Sequence, residues 1–290
     1  MQAVLYRKMY FLSDGYFMTK KAFMFFAMLL PLSVPAQQLL TTSNKCFKQI
    51  QAGNKQNDQG QYQEALDTFT KVLKDCSAKD AKIDGNIGVA VASNGLKQYE
   101  DAVNFANRAI KASKQTNVTA LYARSYAYNH LGRTEDAKSD LIKITGLTKK
   151  NKNLKARAKM FAQLAQLNFQ LDMLADADTN LTKAIELDPE NPLFFIQKGD
   201  MMIKINNYDD AFAAYDKVLE LGKNDLEIYQ IRTEAHLKQM QQKYVTTDIK
   251  EFSGRMTKQE KEATCKDIKK ALELGLKNLQ LDLLSSMICE

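Results

Sequence analysis

The residues most able to do chemistry in this 290-residue chain are its four cysteines and two histidines. His130 and His236 each stand alone, without a nucleophile elbow, a phosphate-binding loop or paired acids around them. An isolated histidine of this kind is more typical of a surface or groove than of a catalytic base. No cysteine or histidine pair has the spacing of zinc ligands, and we expect no metal or cofactor. The sequence therefore argues against an enzyme.

The elements that position these residues come from a motif that recurs along the chain. Each copy has a polar stretch that ends near Gly or Asn, an aromatic residue, acidic or polar residues, and then Ala within a second apolar helix, as in GQYQEALDTFTKVL (60–73) and NNYDDAFAAYDKVLEL (206–221). The marker alanines recur with a period of 34 to 40 residues: Ala65, Ala102, Ala137, Ala177 and Ala211. Such a period predicts helical hairpins that must stack on their neighbours to bury their apolar faces.

These segments resemble tetratricopeptide repeats, most clearly over residues 194–225. The resemblance implies an all-α fold: a right-handed superhelical solenoid of helix-turn-helix repeats with a C-terminal capping helix. It implies a solenoid over residues 37–275, with repeats at about 46–79, 83–116, 118–151, 158–191, 192–225 and 226–275. The small residue of each first helix should face the marker Ala of the second, so that the two backbones approach closely.

The last repeat departs from the pattern. An ordinary first helix is expected over residues 226–240, and the second begins near Thr257, where Thr257 and Glu260 form a capping-box pattern. Residues 241–255 are then an insertion within the hairpin, which serves either as a functional loop or as part of a cap. Residues 276–290 are expected to pack back as the C-terminal cap.

The region before the repeats has the features of a secretory signal. From Met18, two lysines precede an apolar run that is too short to span a bilayer, and the run ends in small residues up to Ala36. We expect residues 18–36 to be a signal peptide and residues 1–17 to be an upstream extension from a misassigned start. An uncleaved anchor is the alternative. With cleavage, the protein would be exported, without a membrane span, to the periplasm or envelope of a Gram-negative bacterium.

An oxidising compartment would favour disulfide bonds among the four cysteines. Cys46 and Cys76 mark the two neighbouring ends of the first hairpin, and Cys265 and Cys289 flank the expected chain reversal at Gly275. Four cysteines allow three pairings, of which we favour these two local bridges. Free buried thiols are the alternative.

Charge does not indicate a nucleic-acid ligand. The formal net charge is +7, and part of it lies in the first 36 residues. The basic loop at 148–159 is not interleaved with stacking aromatic residues, so we interpret it as a solvated loop.

In tetratricopeptide-repeat proteins the first helices line a concave groove that holds a peptide or a segment of a partner, and we expect this groove to be the functional site. Carried over to this chain, the resemblance places on that groove Asn54, Asn57, Asn94, Tyr122, Tyr126, Asn129, Gln166, Phe169, Gln170, Ile196, Asp200 and Lys204. Amides and aromatic rings suit an extended uncharged backbone. The basic cluster with which chaperone-binding members hold a terminal carboxylate is absent.

The leading hypothesis is thus a non-catalytic scaffold that binds a protein or peptide. The alternatives are a structural subunit of an envelope assembly, docking through its convex face or insertion, and a glycan-binding protein. The sequence does not identify the partner or the oligomeric state.

Overall fold

Fourteen α-helices make up the regular structure of residues 42–289, the part of the chain that the computed structural model describes. The proposed upstream extension and signal peptide lie outside these residues. In chain order the helices are α1 Asn44–Asp58, α2 Tyr62–Asp75, α3 Lys79–Gly95, α4 Tyr99–Ala112, α5 Val118–His130, α6 Thr134–Leu147, α7 Leu154–Gln170, α8 Leu174–Leu187, α9 Pro192–Lys204, α10 Tyr208–Glu220, α11 Leu226–Tyr244, α12 Ile249–Arg255, α13 Lys258–Glu273 and α14 Leu279–Ile288.

The helices pack in consecutive pairs from α1/α2 to α9/α10, and α11 pairs with α13. Each pair corresponds to one copy of the sequence motif, so the expected all-α array of helical hairpins is confirmed. Each marker alanine is fully buried. In the sixth pair Thr264 stands in the equivalent place and is likewise fully buried.

The helix ends follow local chemistry. Side chains of Ser43, Asn117, Asn153 and Asp225 accept hydrogen bonds from backbone N–H groups in the first turns of α1, α5, α7 and α11. The Thr257–Glu260 capping box starts α13 as the sequence predicts. The turn within each of the first five pairs contains one residue of positive φ, the conformation that favours glycine: Gly60, Lys97, Gly132, Asp172 and Asn206.

Within a pair, the small residue of the first helix makes room for a large or polar contact from the second. A Cβ added at Gly53 would meet the ring of Phe69, and one at Gly199 would meet the ring of Tyr215. The Ser125 hydroxyl donates to the carbonyl oxygen of Ala137 at 2.8 Å. The close approach of the two helices thus depends on these small residues.

The first helices form the inner layer of the N-terminal half of the array. Helix α3 contacts both α1 and α5, whereas the second helices α2, α4 and α6 make no comparable contacts with one another. When neighbouring repeats lie closer together on one side of a stack than on the other, the stack curves toward the side with the shorter spacing. The exposed side of the first helices is therefore the inner surface, and the second helices form the outer surface.

The segment expected as an insertion in the sixth unit contains helical structure. Helix α11 extends to Tyr244, where Val245 in left-handed conformation ends it, and the segment that follows contains the short helix α12. Ile249 and Phe252 of α12 are buried in one apolar cluster with Leu281 and Leu284 of α14. In this structure, α12 and α14 together cover the end of the α11/α13 pair.

The two cysteine pairs favoured from the sequence are the ones that the structure joins. Cys46 is bonded to Cys76, with Cα atoms 6.0 Å apart, and Cys265 to Cys289, with Cα atoms 5.4 Å apart. The first bridge closes the α1/α2 pair and the second ties α14 to α13. Within residues 42–289, the helices lack the combination of length and apolar character needed to cross a membrane.

Candidate binding surface

The inner surface carries most of the residues that the sequence places in a groove. Asn54, Gln170 and Lys204 are exposed there. Half-buried positions are occupied by Asn94, Tyr122, Tyr126, Asn129, Gln166 and Phe169. Asn57, Ile196 and Asp200 are buried, with at most 8% of their surface exposed. These three side chains therefore contribute to the interior and not to an open groove.

Two of the predicted groove amides connect neighbouring repeats. The amide nitrogen of Asn57 donates to the carbonyl oxygen of Gly88 at 3.1 Å, and that of Asn94 to the carbonyl oxygen of Ala123 at 2.8 Å. Both bonds run from the end of one first helix to the middle of the next. Asn57 and Asn94 thus occupy equivalent positions and hold α1 to α3 and α3 to α5.

A cluster of rings lies on α4 and α5. Tyr99 stacks on His130 with centroids 4.6 Å apart and planes within 2°, and the ring of Tyr126 lies 4.5 Å from His130. Burial, followed by the neighbouring hydroxyls of Tyr99, Tyr122 and Tyr62, raises the pKa of Tyr126 to about 12. The Tyr126 hydroxyl therefore stays protonated at neutral pH. We call Tyr99, Tyr126 and His130 the ring cluster.

Further along the inner surface, side chains of successive repeats also meet. The hydroxyl oxygen of Tyr122 accepts a hydrogen bond from the Gln163 amide at 2.7 Å, which joins α5 to α7. The Lys204 ammonium lies 4.6 Å from the Phe169 ring centroid and 2.5 Å from a carboxylate oxygen of Asp172. Lys204 is thus held against the fourth repeat, and its charge is partly balanced.

Asp200 lies behind the surface where the sequence expected it. The Tyr215 hydroxyl donates to its carboxyl group at 2.8 Å. Burial raises the pKa of Asp200 to about 7, although the bond from Tyr215 opposes the shift. Burial also raises the pKa of Glu234, which lies nearby on α11. Asp200 therefore acts as a buried polar contact between α9 and α10.

The expectation that His236 lies at a surface or groove is wrong. The residue is buried, its Nε2 is 3.0 Å from a carboxylate oxygen of Asp267, and its ring stacks on Phe212. The same oxygen accepts a hydrogen bond from Arg232, which also pairs with Asp216 of α10. This network joins α10, α11 and α13.

An equivalent network lies three repeats earlier. Arg124 makes two bonds to Asp140, at 2.8 and 2.6 Å, and a third to Asn107 of the preceding repeat. Arg124 and Arg232 each immediately precede the small residue of their first helix, at Ser125 and Thr233. Both arginines therefore bridge their own second helix and the preceding one, which makes the networks structural.

Sequence reasoning missed Tyr99, Gln163 and Asp172 as neighbours of the inner surface. One signal was present for Tyr99, since aromatic residues recur at the first position of a second helix, as in Tyr62 and Tyr208. Gln163 and Asp172 make their contacts only through the stacking of successive repeats. Their positions could not be read from the motif of a single repeat.

The fold and this surface define an α-helical repeat protein built from stacked helical hairpins. A model of the family described as "Tetratricopeptide repeat" matches residues 118–151 and 158–191, the α5/α6 and α7/α8 pairs. The α5/α6 and α7/α8 pairs are therefore tetratricopeptide repeats.

Its curated relatives are distant and longer. It is 25% identical over 150 residues to the mitochondrial import receptor subunit TOM70 of Homo sapiens, a match that covers 51% of this chain and 24% of that protein. It is also 25% identical over 229 residues to the human protein O-mannosyl-transferase TMTC3, covering 76% of this chain and 22% of that protein. The chain thus spans about a quarter or less of the length of these relatives.

Solved structures share the fold over most of the described helices. The chain is similar to Pseudomonas aeruginosa PilF, with a TM-score of 0.61 and 16% identity over 83% of this chain and 96% of that one. It is also similar to a tetratricopeptide repeat protein from Parabacteroides merdae, with a TM-score of 0.58 and 16% identity over 86% of this chain and 100% of that one. At this level of identity the likeness concerns the fold alone.

Proposed function

We propose that this protein is a non-catalytic scaffold that binds a partner protein through an extended segment lying along the inner surface. The observation that carries the proposal is the ring cluster, where half-buried Tyr99 and Tyr126 and exposed His130 bring together aromatic faces from two successive repeats. Tetratricopeptide repeats in general mediate contacts between proteins. The likeness to a transferase covers only 22% of that relative and supports no catalytic role for this chain.

The chemistry of the surface suits a mostly uncharged segment. Aromatic faces bury apolar groups of a ligand, and amides both donate to and accept from peptide groups. Of the predicted set, the residues with exposed or half-buried side chains are Asn54, Asn94, Tyr122, Tyr126, Asn129, Gln166, Phe169, Gln170 and Lys204. The ring cluster adds Tyr99 and His130. Asn57, Ile196 and Asp200 are left out because they are buried.

We also propose that the protein is exported to the periplasm or envelope of a Gram-negative bacterium. The signal-like residues 18–36 and the two disulfide bonds support this location, since disulfides persist in oxidising compartments. Alkylation of cells before lysis, followed by mass spectrometry of non-reduced peptides, tests it. Four alkylated cysteines would contradict export.

A second candidate, a structural subunit of an envelope assembly, is favoured by apolar residues on the outer surface. Ile142 of α6 and Met173, which precedes α8, are at least 40% exposed and line one shallow cleft. A subunit that docks through its outer side would use such residues.

Paired double variants distinguish the two functions. Tyr126→Ala with Phe169→Ala alters the inner surface, and Ile142→Ala with Met173→Ala alters the outer one. Partners crosslinked in cells and purified with the full chain should be lost with the first variant and kept with the second, while circular dichroism shows an intact fold for both. Loss only with the outer variant would replace the scaffold proposal by the assembly proposal. Binding of the wild type, but not the inner variant, to a glycan array would show that the ligand is a sugar.

A further inference from the structure

The middle of the chain has an unusual charge distribution. Between Ala102 and Leu171 there are thirteen lysines and arginines and only three carboxylates, Glu135, Asp136 and Asp140. Asp136 pairs with Arg133, and Asp140 pairs with Arg124. The positive side chains in this region therefore far outnumber the carboxylates of the same region that could neutralise them.

Part of this charge lines one cleft on the outer surface, between the C-terminal ends of α4 and α6 and over α5. The cleft has a volume of about 670 Å³. Lys111 and Lys114 border it from α4 and the turn after it, and Lys143 borders it from α6. We call it the basic cleft.

The three lysines are not neutralised within residues 42–289. No carboxylate of this part of the chain lies within the 4.0 Å ion-pair distance of Lys111, Lys114 or Lys143. The Lys143 ammonium donates to the amide oxygen of Gln115, which is uncharged. Arg124 also lines the cleft, but its charge is balanced by Asp140. The cleft therefore presents three positive charges to one volume.

The rest of the lining indicates what kind of anion fits. Ile110 and the exposed Leu147 give the cleft an apolar side, and no aromatic ring lines it. Nucleic acid bound in a single-stranded form would need rings for stacking. A peptide that carries both carboxylates and an apolar side chain matches both parts of the lining.

We propose that the basic cleft binds an acidic segment of a partner protein, with carboxylates at Lys111, Lys114 and Lys143 and an apolar side chain against Leu147. The site is separate from the inner surface, because it lies between second helices. It therefore goes beyond the proposed groove function, and either site can be lost without the other.

Fluorescence anisotropy with the full chain tests this site. The probes are dye-labelled hexapeptides that alternate glutamate with leucine or valine, and the same peptides with glutamine in place of glutamate. The site variant is Lys111→Gln, Lys114→Gln and Lys143→Gln. The matched control is Lys55→Gln, Lys71→Gln and Lys74→Gln, which removes the same charge from exposed positions on α1 and α2. We expect glutamate peptides to bind the wild type and the control alike, and the site variant about tenfold more weakly.

Four results would overturn the proposal. Equal weakening in both triple variants would mean that net charge alone attracts the peptide. Equal binding of the glutamine peptides, or no binding of any glutamate peptide to the wild type, would remove the role of the carboxylates. Binding to vesicles of anionic phospholipid that is lost in the site variant, without peptide binding, would assign the cleft to a membrane surface instead.

Discussion

Single residues of this protein show how one position in a repeat can serve either the fold or a ligand. The amide nitrogens of Asn57 and Asn94 donate hydrogen bonds to the backbone of the next repeat, whereas the side chain of Asn54 is exposed. Asp200 is the extreme case, because its carboxyl group is buried at a position that the family pattern assigns to the groove. The family pattern thus gives the position of a residue along the first helix, and the packing of the neighbouring repeat determines whether its side chain is exposed.

The burial of Asp200 makes stability depend on pH. Its pKa in the folded protein is raised to about 7 from the ordinary value of 3.8, so the folded state holds a proton that the unfolded state has lost between these values. The stability that Asp200 contributes is present below about pH 4 and is lost as pH rises through about 7. Asp200→Asn should therefore flatten the decline in melting temperature from pH 4.5 to pH 7.5, because an amide does not titrate in this range.

The control for this measurement is Asp75→Asn, which removes an exposed carboxyl at the end of α2. Differential scanning calorimetry of the wild type and both variants gives the comparison. The same pH profile in the wild type and in Asp200→Asn would mean that Asp200 is already ionised in the folded protein.

At the scale of the helix, glycines define where two helices approach closely. A Cβ at Gly88 on α3 would overlap the ring of fully buried Phe69 on α2, whereas a Cβ at Gly146 on α6 would meet nothing within 4 Å. Gly88→Ala should lower the free energy of unfolding by about 1 to 3 kcal/mol through overpacking. Gly146→Ala should raise it by about 0.5 to 1 kcal/mol, since alanine is the better helix former.

Urea denaturation of the two variants measures both effects under one protocol. Both variants replace glycine with alanine, so the gain in helix propensity is similar. Opposite signs of the change in the free energy of unfolding would therefore show the cost of packing at Gly88. A gain of stability in both variants would show that α2 and α3 separate easily, contrary to the described contact.

The helices themselves were largely predictable, because each hairpin repeats one pattern of small, aromatic and apolar residues. Helix α12 was not, since its seven residues lie outside the motif. Asp248 as a cap, followed by Ile249, Phe252 and Met256 at helical spacing, was the available signal. The ring cluster and the Arg124 and Arg232 networks could not be derived from one repeat, because each depends on how successive repeats stack.

At the scale of the whole molecule, contact between repeats is uneven. The seams between α2 and α3 and between α4 and α5 are extensive, while those between α8 and α9 and between α10 and α11 are much smaller. Local opening needs less free energy where fewer contacts break. In hydrogen-exchange mass spectrometry of the oxidised protein, amides in α9 and α10 should exchange about tenfold faster than those in α3 to α5, a difference of about 1.4 kcal/mol.

Exchange at one common rate across α3 to α10 would instead indicate that the array opens as a single unit. Both regions lie between the two disulfide bonds, so the comparison is not biased by a covalent link within either one.

The placement of the disulfide bonds also determines how the protein responds to mechanical load. They close loops with sequence separations of 30 and 24 residues and leave helices α3 to α12 without a covalent crosslink. A chain pulled at its two ends would unravel in the middle, while the crosslinked loops would withhold roughly 190 Å of contour length at about 3.5 Å per residue. Under tension the protein would thus act as an extensible tether with two inextensible ends, and a reducing agent would lengthen it.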